Sequence, residues 1–380
     1  MFPVYITKAA SFLPGDPVDN SQIEARLGMV GDKPSKARAV VLRSNRIKTR
    51  HYAIDPNSGE HTHSNAQLAA AAVRGLGGDH FDLNTIDCLA CGTSMPDQLM
   101  PSHAVMVHGE LQIPACEVTA MAGICISGMS AMKYAYMSVA SGLQQHAVAS
   151  GSELASVVMR GHNFAAELEV KLADLEARPE IAFEKDFLRW MLSDGAGAVL
   201  LQRQPLRNIP ALKIEWIDLR SYANEMEPCM YSGAEKVDGK LKGWSQFNYV
   251  ERAEQSIMSV KQDVKLLNAN IIRYTVEKPL RHIVAARGLK ADDIDWFLPH
   301  YSSHYFRDKL AESLKNINFE IPFEKWFTNL SEKGNTGSAS IYIMLAQLLD
   351  SGRLQKGEKI LCYIPESGRF SSCFMLLIVE

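Results

Sequence analysis

Ala122-Gly123-Ile124-Cys125-Ile126-Ser127-Gly128 sets one cysteine among small residues where a short strand gives way to a helix. Upstream, Pro114-Ala115-Cys116-Glu117-Val118 reads as the strand. Downstream, Met129, Met132, Ala135, Tyr136 and Val139 recur at helical spacing until Gly142 stops the run. A thiol at a helix N-terminus meets unpaired backbone N–H groups and the positive end of the helix dipole, and both favour thiolate. That is how a nucleophile is mounted, although a buried structural cysteine fits the segment equally well when it is read alone.

The whole chain narrows the choice. Its 380 residues allow one large or two moderate domains, and its composition is that of an ordinary globular protein. A net charge of -3 and a pI near 6.4 give no global reason to expect nucleic acid or an anionic membrane as partner. The seven cysteines are an odd count set in apolar runs, as suits a reducing cytosol rather than a disulfide framework. Cys88 and Cys91 form a C-x-x-C inside a core-strand pattern, and no second pair completes a zinc site. His61 and His63 lack a third ligand and read as solvated loop residues. The first residues, Met1 to Ile6, carry no signal-peptide pattern, and no window approaches the roughly 18 apolar residues of a membrane span, so a soluble cytoplasmic protein is expected.

Short β-branched runs alternate with amphipathic stretches in both halves, which predicts an α/β fold of helices packed on buried sheets. The strands include Ile86 to Cys91, Ala147 to Ala149, Ala198 to Leu201, Leu212 to Ile217, Asp295 to Pro299, Ile360 to Ile364 and Cys373 to Val379. Helices are expected from Gln67 to Leu76, around Ala104 to His108, from about Val250 to Arg287, and from Ser338 to Leu349. The weakest hydrophobic signal, Gln202 to Pro210, divides the chain into 1–205, with the cysteine, and 206–380.

Two more segments carry chemistry. The strand Trp296-Phe297-Leu298 delivers Pro299-His300 to its C-terminal end, where open α/β sheets gather reactive groups. Lys333-Gly334-Asn335-Thr336-Gly337-Ser338 sets Asn335 in a tight loop before a helix, where it is also a natural cap residue. The G-A-G after Asp194 leads into a strand rather than a helix, which fits a tight structural turn and not a phosphate loop.

Taken in order, these segments resemble a known family. Asn45 to Tyr52 is similar to an early G-I-x-x-R segment, and Thr93 to Ser102 to a T-x-x-P-D-x-x-x-P-S loop. Ala122 to Gly128 resembles a nucleophile motif, and Ser193 to Ala198 a G-D-G-A-G-A turn. Leu298 to Ser303 stands where the family has P-H-Q-A-N, and Gly334 to Ser340 where it has G-N-T-S-A-A-S. The family is that of the thiolase-fold condensing enzymes of the β-ketoacyl-acyl-carrier-protein synthase III type. The resemblance implies a layered αβαβα architecture of two similar halves, and an acyltransferase working through Cys125, His300 and Asn335. Cys125 would take an acyl group as a thioester, its thiolate favoured by the helix end and by His300. His300 and Asn335 would stabilise the enolate of a second thioester, and the backbone N–H groups of Cys125 and Gly368 would form the oxyanion hole.

The same resemblance implies substrates on coenzyme A or acyl carrier protein, no cofactor or metal, and a homodimer. Lys261 and Lys265, one turn apart on the expected long helix, are the candidates for carrier docking. Departures lie at His300, which lacks the following Gln-Ala-Asn, and at Glu366-Ser367-Gly368-Arg369-Phe370, which replaces a glycine run. With Arg46 to Asn65 and the polar stretch Tyr222 to Gly243, these look like the branch that joins an acyl group to a β-ketoacyl thioester and closes a cyclohexanedione or dialkylresorcinol ring. Ring closure needs a further acid/base, for which Glu153 is the candidate and Arg281 its partner; the bland alternatives are a loop-orienting carboxylate and a solvated arginine. The rival functions are an initiating synthase III without cyclisation and a Cys-His-Asn hydrolase, the latter opposed by the absence of a tryptophan after Cys125. A degradative thiolase would need a second cysteine in the 366–370 loop, which has none.

Overall fold

The computed structural model describes every residue except 31–33, 36–37, 165–187 and 207–209, so the expected boundary around 202–210 falls partly outside the described residues. Nine strands form one mixed sheet. They are β1 (Tyr5–Phe12), β2 (Cys88–Thr93), β3 (Glu117–Ala122), β4 (Ala147–Glu153), β5 (Gly195–Gln202), β6 (Leu212–Ser221), β7 (Trp296–Pro299), β8 (Lys359–Glu366) and β9 (Ser371–Val379). Their spatial order is β7-β8-β9-β6-β1-β5-β4-β2-β3.

A repeat is built into that order. In the first half β2 runs parallel to β4, β4 antiparallel to β5, and β5 antiparallel to β1. In the second, β7 runs parallel to β8, β8 antiparallel to β9, and β9 antiparallel to β6. The halves meet through one short antiparallel contact, Tyr5 opposite Lys213 and Ile6 opposite Leu212. Strand β3 adds an outer edge beyond β2.

The helices used below are α1 (Asn65–Arg74), α2 (His103–Leu111), α3 (Ile126–Ser141), α4 (Val264–Ile272), α5 (Lys278–Arg287), α6 (Arg307–Asn316) and α7 (Ser340–Asp350). Met129, Met132, Ala135 and Val139 of α3 share one buried cluster with Tyr342, Leu345 and Leu348 of α7 and with strand residues of both halves. The sheet therefore encloses α3 and α7. The outer faces are covered by α1 and α2 on one side and by α4 to α6 on the other. This is the layered αβαβα fold, with its two β layers continuous through β1 and β6.

Glycine makes the central packing possible. A Cβ on Gly128 of α3 would lie 2.3 Å from the Ser338 carbonyl oxygen, and one on Gly197 of β5 would lie 2.4 Å from the Tyr342 Cβ. The G-A-G segment is thus a strand start pressed against α7, where only glycine fits. Cys88 and Cys91 are buried in β2 and belong to clusters on opposite faces of the sheet, so the C-x-x-C is core. Among the described residues, none of the His, Cys, Asp and Glu side chains group to hold a metal ion, and no helix is long and apolar enough to cross a membrane.

The expected helix from Val250 to Arg287 is not one element. Tyr249–Glu254 is helical, Ser256 turns into the left-handed region with φ 45°, and Lys261–Gln262 is a short strand paired with Met230–Tyr231. Asp263 then caps α4, accepting the Leu266 N–H at 2.9 Å. A π-turn at Arg273–Glu277 joins α4 to α5, where Pro279 sits in the first turn, a place helices tolerate it. The polar stretch before it contains the hairpin Ala234–Val237 and Lys240–Gly243, turned by Asp238 and Gly239, both at positive φ.

Candidate active site

Cys125 is the residue before α3, separated from β3 by Gly123 and Ile124. Gly123 has φ 157°, outside the range of ordinary side chains, and this lets the strand turn sharply into the helix. The cysteine is half-buried and opens onto a small cavity of about 50 Å³ shared with His300. The remaining lining is largely apolar: Leu267, Ile271 and Ile272 of α4, Phe306, Leu310 of α6, and Tyr363 and Pro365 of β8. Its polar members besides Cys125 and His300 are Gln262, Ser302 and Ser367, and Tyr301 lines it as well.

His300 follows β7, and its N–H donates to the Tyr363 carbonyl at 2.8 Å, extending the β7–β8 ladder by one residue. The side chain is 4 % exposed, and burial lowers its pKa to about 4. The imidazole is therefore neutral near pH 7, able to accept a proton or donate a hydrogen bond.

Asn335 arrives from the other side. Its N–H donates to the Met191 carbonyl at 2.9 Å, its carbonyl accepts the Ser193 N–H at 2.9 Å, and its Oδ1 accepts the Gly337 N–H at 3.0 Å. Asn335 does not line the cavity shared by Cys125 and His300. It belongs instead to the buried 335–338 loop that packs on Gly128 at the start of α3.

Two carboxylates flank the nucleophile. Glu153, 4 % exposed at the end of β4, accepts the Ser94 hydroxyl and N–H and the Ser338 N–H, the last at 3.0 Å. Glu366, 8 % exposed at the end of β8, accepts the Ile124 N–H at 3.0 Å and the Ile126 N–H at 3.3 Å through the same Oε2. Burial raises the pKa of both. Here the expected thiolate is corrected. Burial, then Glu153, then Glu366, push the Cys125 thiol well above its usual range, and only its own backbone N–H works the other way. The helix end was expected to favour the thiolate, but Glu366 occupies it.

The Glu366–Phe370 loop is held by Cys229 N–H donating to the Gly368 carbonyl at 2.8 Å and Met230 N–H to the Ser367 carbonyl at 3.2 Å. A Cβ on Gly368 would meet Ile124 Cδ1 at 3.0 Å, so this residue sits against the nucleophile turn.

Other expected site residues lie elsewhere. Lys261 is buried, its ammonium tied to Glu235 and to the Gln255 carbonyl at 3.0 Å, so it presents no charge for docking. It and Lys265 are not neighbours on one helix, because the chain is a strand at Lys261 and α4 begins at Val264. Lys265 is exposed. Arg281 is exposed on α5 and is not among the hydrogen-bond partners of Glu153. The cavity residues that sequence reading missed are Gln262 and Tyr363, and it gave Glu366 no role. Buried Asp194 accepts the Ala53 and Ser156 N–H groups, each at 2.8 Å, and burial raises its pKa to about 6. The Glu-Ser-Gly-Arg-Phe departure was the one signal for Glu366.

Comparison with known proteins bears on the fold. Residues 284–365 match the model of the 3-oxoacyl-[acyl-carrier-protein] synthase III C-terminal family. The chain is 25 % identical over 354 residues to the β-ketoacyl-[acyl-carrier-protein] synthase III of Bradyrhizobium sp. strain BTAi1, covering 92 % of this chain and 91 % of that one. The synthase of the same name from Neisseria gonorrhoeae is 24 % identical over 357 residues, covering 94 % and 93 %. The tetronic acid condensing enzyme AbyA1 superposes over 99 % of both chains with TM-score 0.77 at 23 % identity. A structure of Xanthomonas campestris OleA with bound lauric acid and lauroyl-CoA superposes over 100 % of both, with TM-score 0.74 at 21 % identity. These likenesses establish the thiolase fold and lend no support to a hydrolase.

Proposed function

We propose that this chain, a thiolase-fold acyltransferase of the β-ketoacyl synthase III type, joins an acyl group carried on Cys125 to the α-carbon of a second thioester. The observation that carries this reading is the shared cavity in which the Cys125 thiol and a neutral His300 open onto an apolar wall. A thiol with an adjacent neutral base splits acyl transfer into two easier steps, and the apolar wall accommodates an acyl chain. In the first step the sulfur attacks the donor thioester, its proton passes to His300, and the donor thiol leaves. In the second, the α-carbon loses carbon dioxide, or a proton to the neutral His300 imidazole, and attacks the Cys125 thioester carbonyl; the C–S bond breaks and the cysteine sulfur takes up a proton, with developing negative charge met by backbone and side-chain N–H groups.

A second thioester bearing oxygen at its β-position suits the polar end of the cavity. Gln262 Nε2 donates to the Ser367 hydroxyl at 3.0 Å, and the proton of that hydroxyl faces only the Met230 sulfur at 3.5 Å, a weak acceptor. A β-keto oxygen is the better acceptor, which favours a β-ketoacyl partner over a plain chain. Ring closure through Glu153 draws no support from its position, since both carboxylate oxygens are already committed to Ser94 and Ser338.

Delivery by acyl carrier protein is supported by the names of the synthase III relatives, and delivery by coenzyme A by the lauroyl-CoA bound to OleA. Lys265, exposed on the helix that lines the cavity, is the remaining docking candidate of the original pair. A homodimer is favoured by β3, an outer edge strand with none of its residues buried that ends beside the nucleophile turn and would pair with its copy in a second chain. Incubation with acyl and β-ketoacyl thioesters, followed by mass analysis of protein and small-molecule products, tests the reading; condensed product that requires Cys125 supports it.

A further inference from the structure

We propose that Glu366 is a positioning residue for the nucleophile: its carboxylate pins the turn that carries Cys125 and occupies the helix end, so that the thiol yields its proton only during acylation. This rests on the reading of Cys125 as the acyl acceptor.

The geometry is specific. One oxygen, Oε2, receives the N–H groups of Ile124 and Ile126, the residues on either side of Cys125. Those two donors and the α3 dipole are what a thiolate at this position would use. With the Glu366 carboxyl oxygen already holding both donors, a thiolate on Sγ has neither to draw on, and the turn is held in the shape that aims the thiol at the cavity. The contact joins residues from the two halves of the chain, and a Cβ at Gly123 would lie 3.5 Å from the same Oε2, so the turn and carboxylate are in direct contact.

The groups facing Cys125 are few. Glu153 and Glu366 raise its pKa after burial does, and His300 lies across the cavity with its pKa lowered by burial to about 4. The tyrosines in the cavity, Tyr301 and Tyr363, are both shifted upward by burial and stay neutral. Acylation then proceeds without a resting thiolate. The S–H bond breaks as the S–C bond to the acyl carbon forms, the proton moves to the His300 imidazole, and it is returned to the thiol that leaves as the donor's C–S bond breaks. No charge has to be stored on sulfur, which also keeps the free enzyme resistant to alkylation and oxidation.

The test is the pH dependence of Cys125 alkylation by iodoacetamide, read by intact mass and peptide mapping on the full chain, with Cys125→Ala as the blank. In the wild-type protein the rate should still be rising above about pH 8.5, where a free cysteine is half ionised. Glu366→Gln keeps an oxygen for the two N–H groups but removes the charge, and its profile should move down by about one pH unit or more, giving roughly tenfold faster alkylation at pH 7. Glu366→Asp, which keeps the charge, should stay close to wild type. A wild-type midpoint below pH 8, or superimposable wild-type and Glu366→Gln profiles, would overturn the proposal. The wild-type arm decides even if a variant fails to fold. Separate acylation by a thioester distinguishes failure of this proposal from failure of the nucleophile reading.

Discussion

Glu153 and Glu366 end equivalent strands, β4 and β8, of the two repeated halves, and each carboxylate reaches across to the other half. Glu153 accepts the Ser338 N–H ahead of α7, and Glu366 accepts the Ile124 and Ile126 N–H groups at the start of α3. Each central helix is therefore met at its N-terminal end by an acid from the opposite half. Such an arrangement suits the helix dipole and ties the catalytic turn to the asparagine loop through packed backbone.

Glu153 is predicted to be structural. Glu153→Ala strands three donors in the interior and should destabilise the protein by about 2 to 4 kcal/mol, measured by urea unfolding. Glu153→Gln keeps an acceptor and should cost much less. If a cyclised product is formed, the ratio of cyclised to linear product in Glu153→Gln should equal that of wild type; a selective loss of cyclised product would restore Glu153 as an acid/base.

His300 should leave a signature in stability. Burial lowers its pKa to about 4, below the roughly 6.5 of an unfolded chain. The unfolded state therefore takes up the proton first, and the stability due to neutral His300 is complete above about pH 6.5 and lost as pH falls towards 4. Between pH 7 and pH 5 the loss is about 2 kcal/mol. Comparing His300→Asn with wild type at both pH values isolates this share from that of Asp194, whose raised pKa acts in the opposite direction. Equal pH dependence in the two proteins would contradict a buried neutral imidazole.

Gly128→Ala should disturb the site without removing any reactive group. Its Cβ would fall 2.3 Å from the Ser338 backbone oxygen, so α3 and the 335–338 loop must separate. The expected cost is about 1 to 3 kcal/mol in stability, with a drop in condensation rate. Wild-type melting temperature and turnover together would contradict so close a packing of α3 on the 335–338 loop.

Selectivity should follow Gln262 and Ser367. Ser367→Ala or Gln262→Leu removes the polar end of the cavity, and the preference for a β-ketoacyl over a saturated thioester, expressed as a ratio of kcat/KM, should fall about tenfold, the worth of one hydrogen bond of about 1.4 kcal/mol. An unchanged ratio would remove these residues from substrate choice.

Much of this was legible in the chain. Cys125 and His300 stood out because each sits where a strand ends, and the apolar spacing of α3 and α7 is strong enough to read directly. Asp238-Gly239 is a hairpin signal that the reading of this stretch as merely polar passed over. The cross-half contacts were not legible, because Glu366 and Ile124 are 242 residues apart and nothing local marks an acid as a cap for a distant helix. The false long helix arose because periodicity survives short interruptions: Ser256 at φ 45° breaks the run, yet the apolar spacing resumes in phase enough to hide it. Lys261 misled for the same reason, since a lysine buried against Glu235 looks in sequence like any surface charge.

The central claim is that Cys125 carries the acyl group. Intact mass after mixing the protein with acyl-coenzyme A and acyl-carrier-protein thioesters of several chain lengths tests it most directly. The account predicts a single acyl adduct that maps to Cys125 and vanishes in Cys125→Ala. An adduct that persists in Cys125→Ala, or no adduct with any thioester, would contradict it.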